Sequence, residues 1–510
     1  MSRPEPAGLA RRLAANTLHA ASGRVASLLL WLALTPPLYR ALGAEGFAVW
    51  ALFYALTGYL GALDFGLAPA TMRHVSAARA RGADHDAGAY ATVSVLGYAV
   101  LGLFWLALMP LVRGPLLEFL HVTGAVRPSA DFAFTAGAVV FAMAGATNTI
   151  VYVLQGYDRF DLANLTTLTV SLVQAFGLAL ALAFGWGLVG VVCATGAGWT
   201  SAVLVGLLLV RRGAPAFRWA SPRGASGFVR ESIGFGAPLQ LANMLAVAHQ
   251  QLDKLLLTRY VALAAVAPYE LGLRISTALA TFPQLLLLAL VPPATRFHTA
   301  GEHARLAELY RRSNRYILFA AVVVTAGAVG GAGRVFAAWL GHPDEAAALA
   351  LRGLIVAACA GLGAGMATVT ARGMGRPDLE AEFSAAALAV HLALGLPLVR
   401  THGLPGVLLA LAIGNAAGVA WFVSRLARAL GWSAPRVLFD GAMPPILALA
   451  AGAGSGLWLD RALAPAAGVA AWGALLVVGG AGALVAAAVC LGTRYVSAAE
   501  LARLARPAAE

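Results

Sequence analysis

The sequence predicts an all-α polytopic membrane protein of about fourteen transmembrane helices, arranged as two parallel six-helix repeats with two helices appended at the C-terminal end. Three observations carry that expectation. Of the 510 residues, 60% are hydrophobic and only 12% charged, whereas a soluble domain carries roughly a quarter charged residues to cover its surface. The apolar residues fall in runs of about 20, the length a helix needs to cross about 30 Å of hydrocarbon. Two motifs recur in the same order at a nearly constant shift along the chain.

Each run is broken by a short polar segment with Arg, Pro or Gly, and the spans fall near 16–38, 47–68, 89–112, 132–154, 165–185, 188–210, 232–256, 264–292, 315–340, 347–370, 382–399, 404–423, 442–459 and 467–491. A spanning β-barrel would instead alternate apolar and polar residues over segments of about 10, and Leu285 to Leu290 does not alternate.

The formal net charge of +13 comes almost wholly from arginine, since Lys254 is the only lysine. Its placement argues for topology rather than nucleic acid. With the N-terminus in the cytoplasm, about 25 basic residues lie on cytoplasmic segments, about seven outside and about four within spans, as the positive-inside rule requires. Both termini are therefore expected to be cytoplasmic. Clusters at Arg211, Arg212, Arg218, Arg223 and Arg230 and at Arg305, Arg311, Arg312 and Arg315 carry much of this signal. The first apolar stretch is too long for a signal-peptide core and is expected to stay as the first helix.

The three cysteines, Cys193, Cys359 and Cys490, lie within expected spans without metal-ligand spacing, so neither a disulfide framework nor a zinc site is expected. No G-x-x-x-x-G-K-[ST] loop is present, and no cofactor is expected. Energy would come from an ion gradient, the membrane potential or removal of product.

The motif G-x-x-R-x-D-L occurs from Gly156 to Leu162 and again from Gly373 to Leu379, a shift of 217 residues. The motif G-L-x-G-V follows at Gly187 to Val191 and again at Gly403 to Val407, a shift of 216. The first lies between the fourth and fifth helices of each half and the second at the turn into the sixth. The halves thus repeat in parallel, a standard construction of secondary transporters with the substrate path between the repeats. The expected layout is an N-terminal lobe over 1–210, a cytoplasmic linker over 211–231, a C-terminal lobe over 232–427 and an appended pair with a tail over 428–510.

Leu42-Gly43-Ala44-Glu45-Gly46-Phe47, Leu63-Asp64-Phe65-Gly66-Leu67 ahead of Arg73, Gln155-Gly156-Tyr157-Asp158-Arg159, and the stretch from Gln251-Leu252-Asp253-Lys254 to Tyr269-Glu270 together resemble a polysaccharide flippase. That family belongs to the multidrug, oligosaccharidyl-lipid and polysaccharide exporter superfamily, and the resemblance runs in order over nearly the whole chain. It implies a V-shaped two-lobed fold and a central cationic cavity. It also implies alternating access for undecaprenyl-pyrophosphate-linked oligosaccharide, with glycosyltransferases and a polymerase of the same pathway as partners beside membrane lipids.

Charges inside a span are costly and normally face protein or a water-filled cavity. Arg24, Asp64, Asp253, Lys254, Glu270 and Arg274 fall in or at the ends of the first two helices of each half, and form the candidate substrate-binding set. Arg24 lies about two turns into the first helix, where its planar guanidinium suits phosphate oxygens; the plainer reading is an arginine that snorkels to the interface. Asp64, followed by Gly66, either lines the cavity or ends its helix. Glu270 and Arg274 are spaced to pair on one helix face. Asp253 and Lys254 are adjacent and point apart, so one is expected to meet a partner across the lobes.

Gln240, Asn243, Gln250, Gln251 and Gln284 suit sugar hydroxyls or helix–helix contacts. His249 and His391 read as satisfied interior histidines, and Trp50, Trp105, Trp186, Trp339 and Trp432 as interfacial anchors. A membrane-embedded polymerase or glycosyltransferase would need a sizeable outward segment with acids and bases, and the longest here, from about Arg113 to Asp131, offers Glu118, His121 and Asp131. A flippase for a lipid-linked peptidoglycan precursor and a drug or cation antiporter of the same superfamily are the remaining alternatives. Arg24, Lys254 and Arg274 favour an anionic substrate over the antiporter.

Overall fold

In the computed structural model the chain is helical. It describes residues 6–63, 67–222, 226–288, 290–376, 378–439, 442–466 and 468–500, and among them no β-strand occurs. Two compact units are present, Met1–Val247 and Ala248–Glu510.

In the first unit the expected first two spans run on as a single element, α1 (Pro6–Ala62), bent at Gly43 with φ 66° and ψ 179°. A Cβ is strained at that φ, so glycine permits the bend. Trp50, expected at an interface, is instead buried among Trp31, Phe47 and Tyr54, with ring centroids 6.0, 5.2 and 5.1 Å away. It fails as an anchor because its position on α1 faces protein.

A short helix, α2 (Leu67–Ala80), leads to α3 (Asp84–Phe119), α4 (Arg127–Gly156), α5 (Phe160–Ala183) and α6 (Gly187–Gly213). Helix α4 packs on all five other helices of this group and is the most buried of them. Small residues make that approach possible: a Cβ on Gly145 would lie 2.1 Å from the Tyr98 ring, and one on Gly102 would lie 2.5 Å from the Ala142 Cβ. Lipid supplies little hydrophobic drive between helices, so such close packing is a main source of cohesion.

The unit boundary falls within α7 (Ser226–Tyr260). After it come α8 (Val266–Leu288), α9 (Val291–Thr299), α10 (His303–Leu340), α11 (Glu345–Leu362), α12 (Gly365–Gly373), α13 (Asp378–His402) and α14 (Leu404–Leu430). Helices α5 and α6 begin at Phe160 and Gly187, and α13 and α14 begin at Asp378 and Leu404, shifts of 218 and 217. The repeated motif builds the same device in each place. Arg159 Nε donates to Asp161 at 3.0 Å and Arg376 Nε to Asp378 at 2.9 Å. The turn ahead of each arginine has a positive φ, 59° at Asp158 and 69° at Gly375.

Helix α11 packs on α8, α10 and α14. After α15 (Ala434–Phe439), α16 (Met443–Ala462) and α17 (Val469–Gly492) pack on each other and on α10. That contact is a glycine seam, in which a Cβ on Gly330 would come within 2.7 Å of the Gly456 Cα. Arg334 of α10 locks one end, donating to the Asp460, Leu463 and Ala464 carbonyls at 2.8 Å each.

Among the described residues, eleven helical stretches are long and apolar enough to cross a membrane, with the two spans of α1 counted as one. The expected seventh and eighth spans correspond to α7 and α8, which carry the polar residues of the candidate site.

Candidate functional site

Helix α7 ends at Tyr260 and a single 3-10 turn, Leu263–Ala265, delivers the chain into α8. A connection that short brings the end of α7 beside the start of α8, and the charged residues of both meet there. Lys254 Nζ lies 2.9 Å from Glu270 Oε2, and Arg274 Nη2 lies 3.5 Å from Glu270 Oε1. The three side chains are 4%, 10% and 18% exposed for Lys254, Glu270 and Arg274, so the group is largely removed from solvent and carries one surplus positive charge.

Asp253 faces a different set of groups. Its Oδ2 accepts a hydrogen bond from the Tyr269 hydroxyl at 2.6 Å. Its Oδ1 lies 2.7 Å from Nε2 of His391 on α13, an ion-pair distance that falls outside in-line hydrogen-bond geometry. His391 Nδ1 is 3.2 Å from His249 Nδ1, and His249 Nε2 is 2.9 Å from Asn415 Oδ1 on α14. Asn415 Nδ2 donates to the Ala357 carbonyl of α11 at 2.9 Å. Asp253, Tyr269 and His391 are each no more than 1% exposed.

Of the six expected site residues, the structure brings Lys254, Glu270 and Arg274 together in one cluster and sets Asp253 beside Tyr269 and His391. Asp64 lies outside the described residues, and at Arg24 only the helical backbone is described. Two expectations change. Asp253 and Lys254 do point apart, but both find their partners within their own unit, on α8 and α13, rather than across the lobes. Glu270 and Arg274 do pair on one face, yet Glu270 also holds Lys254, so the pair is part of a larger cluster.

The polar chain through Tyr269, His249 and Asn415 was not assembled by sequence reasoning. A lone asparagine in the apolar run of α14 and a lone histidine in that of α13 were its only local signals. Among the described residues no group of three or more His, Cys, Asp or Glu side chains could hold a metal ion.

Residues 13–298, more than half of the chain, match the family described as polysaccharide biosynthesis protein. The chain belongs to that family. No curated protein matches it in sequence. A multidrug resistance MATE family transporter of the MOP superfamily, in its inward-facing conformation, is similar in fold with a TM-score of 0.68 at 16% identity, over 79% of this chain and 95% of its own. The lipid II flippase MurJ, inward closed, matches with a TM-score of 0.66 at 9% identity, over 94% of this chain and 99% of its own. The Vibrio cholerae MATE transporter VcmN in the bent form matches with a TM-score of 0.58 at 18% identity, over 84% and 99%. At such identities the likeness shows the fold, which this member of the polysaccharide biosynthesis family shares with these transporters and this flippase.

Proposed function

We propose that the chain flips undecaprenyl-pyrophosphate-linked oligosaccharide repeat units from the cytoplasmic to the periplasmic leaflet by alternating access. The observation that carries this reading is membership in the polysaccharide biosynthesis family on a fold shared with a flippase of another lipid-linked sugar. The charge balance supports it, because Lys254, Glu270 and Arg274 sum to a cation, and a diphosphate lipid is an anion. Arg274, the most exposed of the three, is the group of this cluster best placed to meet a phosphate.

On this reading the halves are the N-terminal and C-terminal lobes joined by 211–231, both termini are cytoplasmic, and the membrane is the bacterial inner membrane. Arg24 contacts the carrier pyrophosphate and Asp64 lines the path. Glycosyltransferases and a polymerase act before and after the flip.

Reconstitution into liposomes with three substrates tests the reading: a lipid-linked oligosaccharide, a lipid-linked peptidoglycan precursor and a cationic drug. Transport of the first alone is expected. Transport of the second is the outcome that the MurJ-like fold favours as the rival.

A further inference from the structure

Two cavities lie side by side along the start of α10. The larger, about 540 Å³, is walled by Leu286 and Leu290 where α8 gives way to α9, by Phe297 of α9, and by Leu309, Tyr316 and Ile317 of α10. That volume is within the range of about 300–1,000 Å³ in which clefts take a small organic ligand. The smaller, about 200 Å³, is lined by Glu308, Arg311, Arg312, Arg315 and Glu500. Glu308 and Arg312 border both. Helical spacing makes the division: Leu309, Ser313 and Tyr316 form one stripe of α10, and Glu308, Arg311 and Arg315 the next.

The charges of the smaller cavity do not cancel. Arg311 and Arg312 both bear on Glu308, and Arg315 Nη2 lies 2.7 Å from Glu500. Three guanidiniums against two carboxylates leave one positive charge. A donor is also unspent, because Arg315 Nε is buried and has no hydrogen-bond partner among the described residues. Leaving such a group unpaired costs free energy that a ligand oxygen would recover. The positive-inside rule accounts for arginines on this segment, but not for their convergence on a cavity beside an apolar one. The apolar run of α10 opens at Tyr316, directly after Arg315, so the paired cavities lie at the level where a span meets lipid headgroups.

We propose that the two cavities together hold one anionic phospholipid, its phosphodiester on Arg311, Arg312 and Arg315 and an acyl chain against Leu286, Leu290 and Phe297. Guanidinium N–H pairs match phosphate oxygens, and Arg315 Nε gains an acceptor. The surplus of one charge selects the headgroup. A phosphodiester without an amine carries the single negative charge that the cluster lacks, a zwitterionic headgroup carries none net, and the pyrophosphate of a polyprenyl carrier brings an excess. The leaflet is the cytoplasmic one on the topology proposed above, whereas the site itself depends neither on that topology nor on the transported substrate.

The full chain is reconstituted into phosphatidylcholine vesicles that contain a trace of phosphatidylglycerol with a photoactivatable group on its acyl chain, and the labelled peptides are identified by mass. Label is expected within 286–317. Arg312→Gln, at an exposed side chain, should lower it by about five-fold, and adding Arg315→Gln should lower it by about as much again. Leu286→Trp, at a position 52% exposed, should crowd out the acyl chain without touching a charge. Unlabelled phosphatidylglycerol should displace the probe. Equal labelling of the wild type by a phosphatidylcholine probe with the same tail would show unselective lipid contact and overturn the assignment, whether or not any variant folds. Displacement by lipid-linked oligosaccharide in preference to phosphatidylglycerol would give the cavities to the transported lipid and overturn it too. Label outside 286–317 alone would show that the cavities are closed to lipid.

Discussion

Lys254 Nζ, on α7, lies 2.9 Å from Glu270 Oε2, on α8, with both side chains nearly closed to solvent. A buried pair of this kind adds little net stability over apolar residues of similar size, but removing one partner strands the other. Glu270→Gln would strand the buried Lys254 ammonium, at a cost of about 3–5 kcal/mol. Thermal unfolding of the purified chain in detergent should fall clearly for this variant. Adding Lys254→Met should recover part of the loss, and an unchanged midpoint in Glu270→Gln would show that the cluster does not hold α7 to α8.

Arg24 gives a functional prediction. If it grips the carrier pyrophosphate, Arg24→Ala should abolish complementation of a flippase-deficient strain at normal membrane abundance. Arg24→Lys should keep only part of the activity, because an ammonium preserves the charge and loses the planar fork. Full activity in the alanine variant would rule the contact out, and loss of protein from the membrane would mark a folding defect instead.

Glu500 offers a pH prediction outside the spans. The Ser497 backbone N–H donates to its carboxylate at 2.9 Å, the Ser497 hydroxyl adds a second contact, and Arg315 Nη2 donates at 2.7 Å. The Ser497 backbone N–H foremost, then the Ser497 hydroxyl and Arg315, hold the carboxyl below its ordinary value. A depressed carboxyl stabilises fully above its unfolded value of about 4.3 and loses that contribution as pH falls through the lower folded value. Hydrogen exchange at 493–500 should be slow at pH 7 in the wild type and faster in Glu500→Gln. The two should converge in acid below about pH 4; a difference that persists there would mean that the carboxylate charge is not what holds the segment.

Topology is tested by reporter fusions. Those after Arg230, Arg315 and Pro435 should report the cytoplasm, and those near Val122, Pro343 and His402 the periplasm. An inverted pattern at every site would reverse the orientation.

Hydropathy was enough to recover the long helices, because each span is a local run and lipid requires that length, but it missed the short α2, α9 and α15. It did not distinguish the bend at Gly43 from a loop: the backbone stays helical on both sides, and the φ and ψ of one residue change. The repeated R-x-D motif was legible as a repeat because its hydrogen bonds join residues two apart. Glu270 with Arg274 was legible for the same reason, being one turn apart. Asp253 with His391 was not, since 138 positions separate them and only the packing of α13 on α7 brings them together. Trp50 was misplaced because a tryptophan near the end of an apolar run looks the same whether its face meets lipid or another helix.

Lys254 is the only lysine in the sequence and is 3% exposed. Beyond the α-amino group, the folded chain therefore presents almost no primary amine to the solution. An acylating reagent that reaches only water-exposed amines would modify Lys254 solely when α7 leaves α8, which turns one buried ammonium into a timer for opening of the second unit. Counting modified molecules by mass, with and without a transported lipid, would follow that opening in an unmutated protein.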